Sequence, residues 1–229
     1  KLAPSPKSLT TNSMHFHIVT LFPKAFDSYL GESILKRAIE DKKIKVTFYN
    51  PRDFVENRWK RVDRPPYGGG PGLVIEAMPV VRAIEKALAK IKNQKSKIKI
   101  IWLTPSGKQF NNIYARKTAK KFKHVIIMCG RYEGIDARVK KIFKTEDVSV
   151  GPYVLTGGEL PAMVIMDTVS RQIPGVLGNI DSLEERRVAS SDAYTRPEVF
   201  KYKGKSYKVP KILLSGHKAR IEEWKKNRA

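Results

Sequence analysis

The 229-residue sequence contains one cysteine, Cys129, and only 22 acidic residues against 45 lysines and arginines. A single cysteine excludes a disulfide within the sequence and a multi-cysteine metal site. It also fits a reducing compartment, so we expect a cytoplasmic protein. No apolar run reaches the roughly 18 residues that a membrane-spanning helix needs. The four histidines (His15, His17, His124 and His217) show neither zinc-ligand spacing nor an H-E-x-x-H pattern, so we predict no metal site.

The excess of basic residues gives a formal net charge of +23. Hydrophobic residues make up 41% of the sequence, which is enough for a packed core and excludes a disordered basic tail. A folded chain this basic usually binds a polyanion, either nucleic acid or an acidic membrane surface. We favour nucleic acid over a membrane partner and over a general effect of composition.

Strand-like and helix-like patterns alternate along residues 14–175, which predicts an α/β fold with a mainly parallel sheet flanked by helices. Residues 1–13 have no apolar core and are interpreted as a leader or cloning remnant, expected to be disordered. Residues 176–195 lack periodicity and are predicted to be an interdomain loop. Residues 196–229 are predicted to form a small, basic, helical module, with a helix over 211–229; a further helix is expected over 108–121.

Glycine-containing loops follow three of the predicted strands: TPSGK at 104–108, GRYEGID at 130–136 and GPYVLTGGELP at 151–161. In parallel α/β sheets, ligands bind beyond the carboxyl ends of the strands, where such loops converge. No G-x-G-x-x-G fingerprint and no GKS or GKT phosphate loop is present, which disfavours dinucleotide and nucleoside-triphosphate sites. One such loop is most simply a turn, but three of this composition indicate a ligand site.

A second glycine cluster, RPPYGGGPGL at 64–73, follows a run of basic residues. Exposed backbone beside cations and an aromatic ring suits an RNA backbone and a stacked base. The candidate RNA-binding residues here are Arg58, Arg61, Tyr67, Gly68, Gly69 and Gly70. The alternative interpretation is a flexible surface loop.

Eight motifs occur in order between residues 21 and 224: LFPKAF, PRDF, PYGGGPG, CGRYEGID, VGPYVLTGGELPAM, SRQIPGVLG, YTRPEV and LLSGHKARIEEW. Together they closely resemble the bacterial tRNA (guanine-N1)-methyltransferase family. That family uses S-adenosylmethionine to methylate the guanosine just 3′ of the anticodon. The resemblance implies a SPOUT-type fold with a deep C-terminal trefoil knot, a homodimer with each active site at the subunit interface, and tRNA as substrate. A contribution from magnesium is left open.

The resemblance also assigns site residues, position by position. In the three strand-end loops it implies cofactor contacts from Leu103, Thr104, Pro105, Gly130, Tyr132, Glu133, Val150, Gly151, Tyr153, Val154, Leu155, Gly157, Gly158 and Pro161. Asp192 matches a family aspartate near the amino group of the cofactor. In the basic module, Arg196, Lys201 and Lys203 are the candidate tRNA contacts.

Methylation of guanine N1 requires a base for the N1 proton and a donor for the charge that develops on O6. Arg171 matches the catalytic arginine of the family. Arg186 stands where the family usually has its catalytic aspartate, so Glu185 is the predicted base, with Glu184 and Asp181 as alternatives. This departure keeps a second hypothesis open, an RNA-binding protein with a degenerate site. A third is a related knotted methyltransferase that acts on ribosomal RNA or a ribose 2′-OH.

Overall fold

The chain is represented by a computed structural model that describes residues 13–91, 97–177 and 192–227. It forms two compact units, residues 1–178 and 179–229, which are described separately. The predicted leader at 1–13 and interdomain loop at 176–195 fall mainly outside the described residues, so both stay predictions.

Seven strands belong to the first unit. They are β1 (Met14–Val19), β2 (Ile44–Tyr49), β3 (Asp63–Arg64), β4 (Val74–Ile75), β5 (Ile98–Gln109), β6 (His124–Met128) and β7 (Glu146–Ser149). Five of them form one parallel sheet in the order β2–β1–β6–β5–β7, while β3 and β4 form a small antiparallel pair. The predicted α/β class with a parallel sheet is confirmed.

The helices of this unit cover both faces of the sheet. They are α1 (Asp27–Leu30), α2 (Ser33–Glu40), α3 (Ala77–Ala89), α4 (Asn112–Lys121), α5 (Arg138–Ile142) and α6 (Glu159–Ser170), with short 3-10 turns at Pro23–Phe26 and Pro51–Phe54. The start of α4 is set by Asn111, whose side chain accepts the backbone N–H of Tyr114. The predicted helix over 108–121 therefore begins later than expected, because strand β5 continues to Gln109.

Two hydrophobic cores lie on opposite faces of the sheet. Strand β6 contributes to both, because successive side chains of a strand point to opposite faces. Val125 and Ile127 pack with helices α2, α4 and α6, whereas Ile126 and Met128 pack with α3 and α5. All four side chains are essentially buried. This double burial holds the carboxyl end of β6, and the loop that follows it, in a fixed position.

The second unit contains a β-hairpin and two helices: β8 (Val199–Tyr202), β9 (Lys205–Lys208), α7 (Lys211–Leu214) and α8 (Lys218–Lys226). Lys203 and Gly204 join the strands with φ of 47° and 77°, which is the backbone of a tight two-residue hairpin turn. The prediction of a helical module was thus incomplete, and the helix predicted over 211–229 is divided at 215–217. Among the described residues, no helix combines the length and the apolar character needed to cross a membrane.

Candidate active site

A cavity of about 360 Å³ lies at the carboxyl ends of β6 and β7, beside the middle of the long strand β5. Its walls come from residues 102–105, 130–135, 148–151 and 153–158, with Pro161 of helix α6. Every residue that the resemblance assigns to the cofactor in the three strand-end loops lines this cavity. The volume is within the usual range for small-molecule sites.

The first wall arises from an irregularity in strand β5. Leu103 and Lys108 both lie opposite Val148 of β7, so the residues between them bulge out of the ladder. A Cβ atom added at Gly107 would lie 2.5 Å from the backbone nitrogen of Val148. The bulge therefore depends on glycine at this position, which explains why the predicted loop at 104–108 lies within a strand.

The second and third walls pack directly on each other. The backbone N–H of Gly158 donates to the carbonyl of Gly130 at 2.9 Å. A Cβ atom at Gly158 would lie 2.5 Å from the Cα atom of Cys129. Only glycine permits this approach. The packing also buries the Cys129 thiol. Burial is the main cause that raises the pKa of this thiol well above its usual value, and the nearby Glu159 carboxylate raises it further.

A buried ion pair connects these two walls to Thr20, the residue that follows strand β1. The Arg131 Nε–H donates to Glu159 Oε2 at 2.8 Å, and the Thr20 hydroxyl donates to Glu159 Oε1 at 2.7 Å. The Glu159 side chain is only 4% exposed. The Arg131 guanidinium also lies 4.6 Å from the centre of the Phe22 ring. The sequence interpretation did not single out these residues, although each of the two charges stands beside a glycine of a strand-end loop.

The glycine-rich loop at 64–73 ends against the second wall. Leu73 accepts the backbone N–H of Glu133 at 2.9 Å, and a Cβ atom at Gly72 would lie 2.6 Å from Glu133 Oε1. Earlier in the loop, Tyr67 is fully exposed. Gly68, Gly69 and Gly70 all have positive φ, and a Cβ atom added at any of them would have no neighbouring atom within 4 Å.

Exposed cations and aromatic rings continue upstream of this loop. The Arg58 guanidinium lies 5.3 Å from the ring centre of Trp59, which is 81% exposed. Arg61 is also exposed and donates to the carbonyl of Asp63. Trp59 was missed in the sequence interpretation, although an aromatic residue between two basic ones was a visible signal. The region therefore offers exposed cations and ring faces to a ligand.

Comparison with known proteins places these motifs in one family. The family model described as "tRNA (Guanine-1)-methyltransferase TrmD" matches residues 14–229. A tRNA (guanine-N(1)-)-methyltransferase of Clostridioides difficile is 43% identical over 219 residues, which cover 93% of this chain and 91% of the relative. Proteins with the same description from Campylobacter jejuni subsp. doylei and Alkaliphilus oremlandii are 44% and 42% identical, over 93% and 94% of this chain and 90% and 87% of their own lengths.

The chain belongs to the tRNA (guanine-N1)-methyltransferase family. The predicted family and enzyme class are therefore confirmed. The methyltransferase motifs CGRYEGID and VGPYVLTGGELPAM are the segments that form the second and third walls of the cavity.

Arg171, the predicted catalytic arginine of this methyltransferase, lies at the carboxyl end of helix α6 and is half-buried. The cavity lies at the opposite end of that helix, where Gly158 and Pro161 line it. Arg171 lies twelve positions after Glu159, so the helix places them about 18 Å apart. Within one chain, the cavity and Arg171 are at different ends of the same element.

The remaining predicted residues lie in or beyond the segment that is not described. Glu185, Glu184, Asp181 and Arg186 are outside the described residues, so the identity of the base stays a prediction. Asp192, Arg196, Lys201 and Lys203 belong to the second unit and are exposed. Lys201 lies on strand β8, and Lys203 is in the hairpin turn with its ammonium 5.5 Å from the ring centre of Tyr202.

Proposed function

We propose that the protein transfers a methyl group from S-adenosylmethionine to N1 of the guanosine immediately 3′ of the anticodon in tRNA. The observation that supports this most directly is the convergence of the three family loops on one cavity at the carboxyl edge of the sheet. Family membership supports the substrate class and the reaction.

The cavity residues fit the proposed cofactor. Glycine-rich walls expose backbone N–H and carbonyl groups, which suit the hydrogen-bonding edge of an adenine. Tyr132, Tyr153 and Leu155 add partly exposed apolar surface for its rings. Glu133 supplies a carboxylate suited to a positively charged amino group. When bound, S-adenosylmethionine supplies an electrophilic methyl group on a sulfonium.

The chain's own residues must make guanine N1 a nucleophile. N1 carries a proton, and the ring becomes anionic as that proton leaves. We propose that a carboxylate, Glu185, would accept the N1 proton. N1 would then bond to the methyl carbon while the carbon–sulfur bond breaks and its electron pair stays on sulfur, which leaves as a neutral thioether. We propose that the Arg171 guanidinium donates hydrogen bonds to O6 and so stabilises the negative charge that develops there. Glu184 and Asp181 are the alternative bases.

We further propose a homodimer in which Arg171 serves the cavity of the partner subunit. The separation of about 18 Å along helix α6 supports this, because Arg171 does not share an end of the helix with its own cavity. Leu160 and Val164 are 56% and 46% exposed, and their spacing puts them on one face of α6 with Arg171. A second copy that covers this apolar face would bring one arginine to each cavity.

The trefoil knot expected of the family also remains a proposal. Its support is the close packing of the loops after β6 and β7, where Gly158 contacts the backbone of Cys129 and Gly130. Loops that pass this closely have no room for side chains at the contact.

Subunit complementation tests the shared site. Arg171→Ala and a cavity variant, Gly158→Val, should each be inactive in methyl transfer to a tRNA transcript. Coexpression with two different tags and purification of the mixed dimer should restore activity, because one of its two sites then carries neither substitution. A mixed dimer that stays inactive, beside an active wild type, would refute the shared site.

A second function, RNA binding with a degenerate methyltransferase site, is favoured by Arg186 at the usual aspartate position. Methyl transfer by wild type and by Glu185→Gln separates the two. Wild-type activity that Glu185→Gln abolishes supports the enzyme and its base. Cofactor and tRNA binding without any transfer by wild type would favour the degenerate protein.

A further inference from the structure

Three histidines from two neighbouring strands converge on one face of the sheet. His15 and His17 are two residues apart on β1, so both side chains point to the same face. His124 begins β6 and lies directly opposite His15 in the parallel register. One ring nitrogen from each histidine lies within 4.8 Å of the other two. His17 Nε2 and His124 Nδ1 are 3.1 Å apart.

Strand β2 supplies hydrogen-bond partners that orient two of these rings. The Nε2 atom of His15 lies 2.8 Å from the Thr47 hydroxyl, and Nδ1 of His17 lies 3.0 Å from the Tyr49 hydroxyl. Metal-binding histidines usually have such a partner, which fixes the ring orientation. His17 is fully buried, whereas His15 and His124 are half-buried, so the cluster has both a rigid side and a side open to solvent.

The cluster is separate from the cavity described above. It lies near the amino ends of β1 and β6, whereas the cavity lies at the carboxyl edge of the sheet. Strand β6 has five residues, which extend over about 15 Å. None of these three histidines belongs to the cofactor-binding or RNA-binding residues proposed above.

We propose that His15, His17 and His124 bind one divalent transition-metal ion, Zn²⁺, through three imidazole nitrogens, with the remaining position open to water. Imidazole ligands suit zinc, copper and nickel, whereas magnesium takes oxygen ligands, so this site is distinct from any magnesium requirement of catalysis. Three histidines with one open position are a known zinc arrangement. Bond lengths of about 2.0–2.1 Å require small rotations of the half-buried rings to bring the nitrogens closer.

The surrounding charges set the expected affinity. Lys45 and Lys90 act on His15 and His17, and Lys123 acts on His124. Among the described residues, no carboxylate belongs to the ligand set. Repulsion by these lysines weakens the binding of a divalent cation, so we expect micromolar affinity. Because the ligands come from two adjacent strands, the bound ion would link β1 to β6 and stabilise the folded state.

Cobalt and zinc titrations of the untagged, EDTA-treated full chain test the site. Co²⁺ should bind one equivalent per chain and produce the visible absorption of a nitrogen-ligated ion, which Zn²⁺ then displaces. Zn²⁺ should also raise the melting temperature. His124→Gln and His15→Gln should each abolish the absorption and the thermal shift. The matched control is His217→Gln, which changes an exposed histidine of the second unit and should bind like wild type.

A third variant tests the arrangement without removing a ligand. Thr47→Val deletes the hydroxyl that contacts His15, and we expect about a tenfold loss of affinity. Circular dichroism of each metal-free variant checks that it is folded. The proposal is overturned if wild type shows no cobalt spectrum and no thermal shift with excess zinc. It is also overturned if folded His124→Gln and His15→Gln bind the ions as wild type does.

Discussion

At the residue scale, the cavity depends on a position where a side chain has no room. A Cβ atom at Gly158 would lie 2.5 Å from the Cα atom of Cys129, and neither backbone can move without displacing a cavity wall. We expect Gly158→Ala to lower the free energy of unfolding by about 1–3 kcal/mol and to weaken S-adenosylmethionine binding by at least about tenfold. Calorimetric titration and chemical denaturation measure both effects.

The matched control for this substitution is Gly204→Ala. Gly204 has positive φ and no atom within 4 Å of the added Cβ, so alanine there introduces backbone strain without overlap with a neighbouring atom. Cofactor affinity should stay at the wild-type value in this control. An equal loss of affinity in both variants would contradict the packing argument.

Cys129 gives a second test at this scale. Burial raises the pKa of its thiol, so the reactive thiolate is scarce at neutral pH in the folded protein. We expect a thiol reagent such as DTNB to react slowly with the native chain and rapidly after denaturation. Fast labelling of the native protein at pH 8 would show that the loops at 129–130 and 157–158 open in solution.

At the element scale, one buried ion pair links two cavity walls to Thr20, the residue after strand β1. Glu159→Gln keeps the size of the side chain but removes the charge that Arg131 pairs with. Removal of one partner of a buried pair costs about 3–5 kcal/mol, and Arg131 is 27% exposed, so we expect a loss of about 2 kcal/mol in unfolding free energy. The KM for S-adenosylmethionine should rise more than kcat falls, since Glu159 positions the loops.

The comparison for Glu159→Gln is Asp147→Asn, which removes the partner of Lys140 in a more exposed pair. Exposed pairs contribute about 0–1 kcal/mol, so stability and KM should change little. If Glu159→Gln behaves like this control in denaturation and kinetics, the ion pair does not position the cofactor loops.

The elements also show how far the sequence could predict this structure. The β-α alternation and the three strand-end loops were visible in it, because alternation and glycine are local signals. The Arg131–Glu159 pair and the three-histidine cluster could not be predicted from the sequence, because both depend on which strands become neighbours in the sheet. The hairpin of the second unit was missed, although VFKYKGKSYK alternates aromatic residues and lysines around a Lys-Gly turn. The base stays a prediction, because Arg186 stands where the resemblance implies an aspartate.

At the scale of the whole molecule, we expect the net charge of +23 to dominate binding of the proposed tRNA substrate. If six or more phosphates contact basic residues, tRNA affinity should fall roughly 10³-fold between 50 and 200 mM salt. Fluorescence anisotropy with labelled tRNA measures this slope, and S-adenosylmethionine affinity over the same range serves as the control. Affinity for tRNA that does not change with salt would contradict the electrostatic account.

The central claim concerns one atom of one nucleotide. The decisive measurement is transfer of labelled methyl from S-adenosylmethionine to a tRNA transcript with guanosine immediately 3′ of the anticodon, followed by digestion and mass spectrometry of the nucleosides. A second transcript with adenosine at that position is the control. The account predicts 1-methylguanosine from the first transcript and no labelled nucleoside from the second. A methyl group on any other atom or nucleotide, or cofactor binding without transfer, would contradict it.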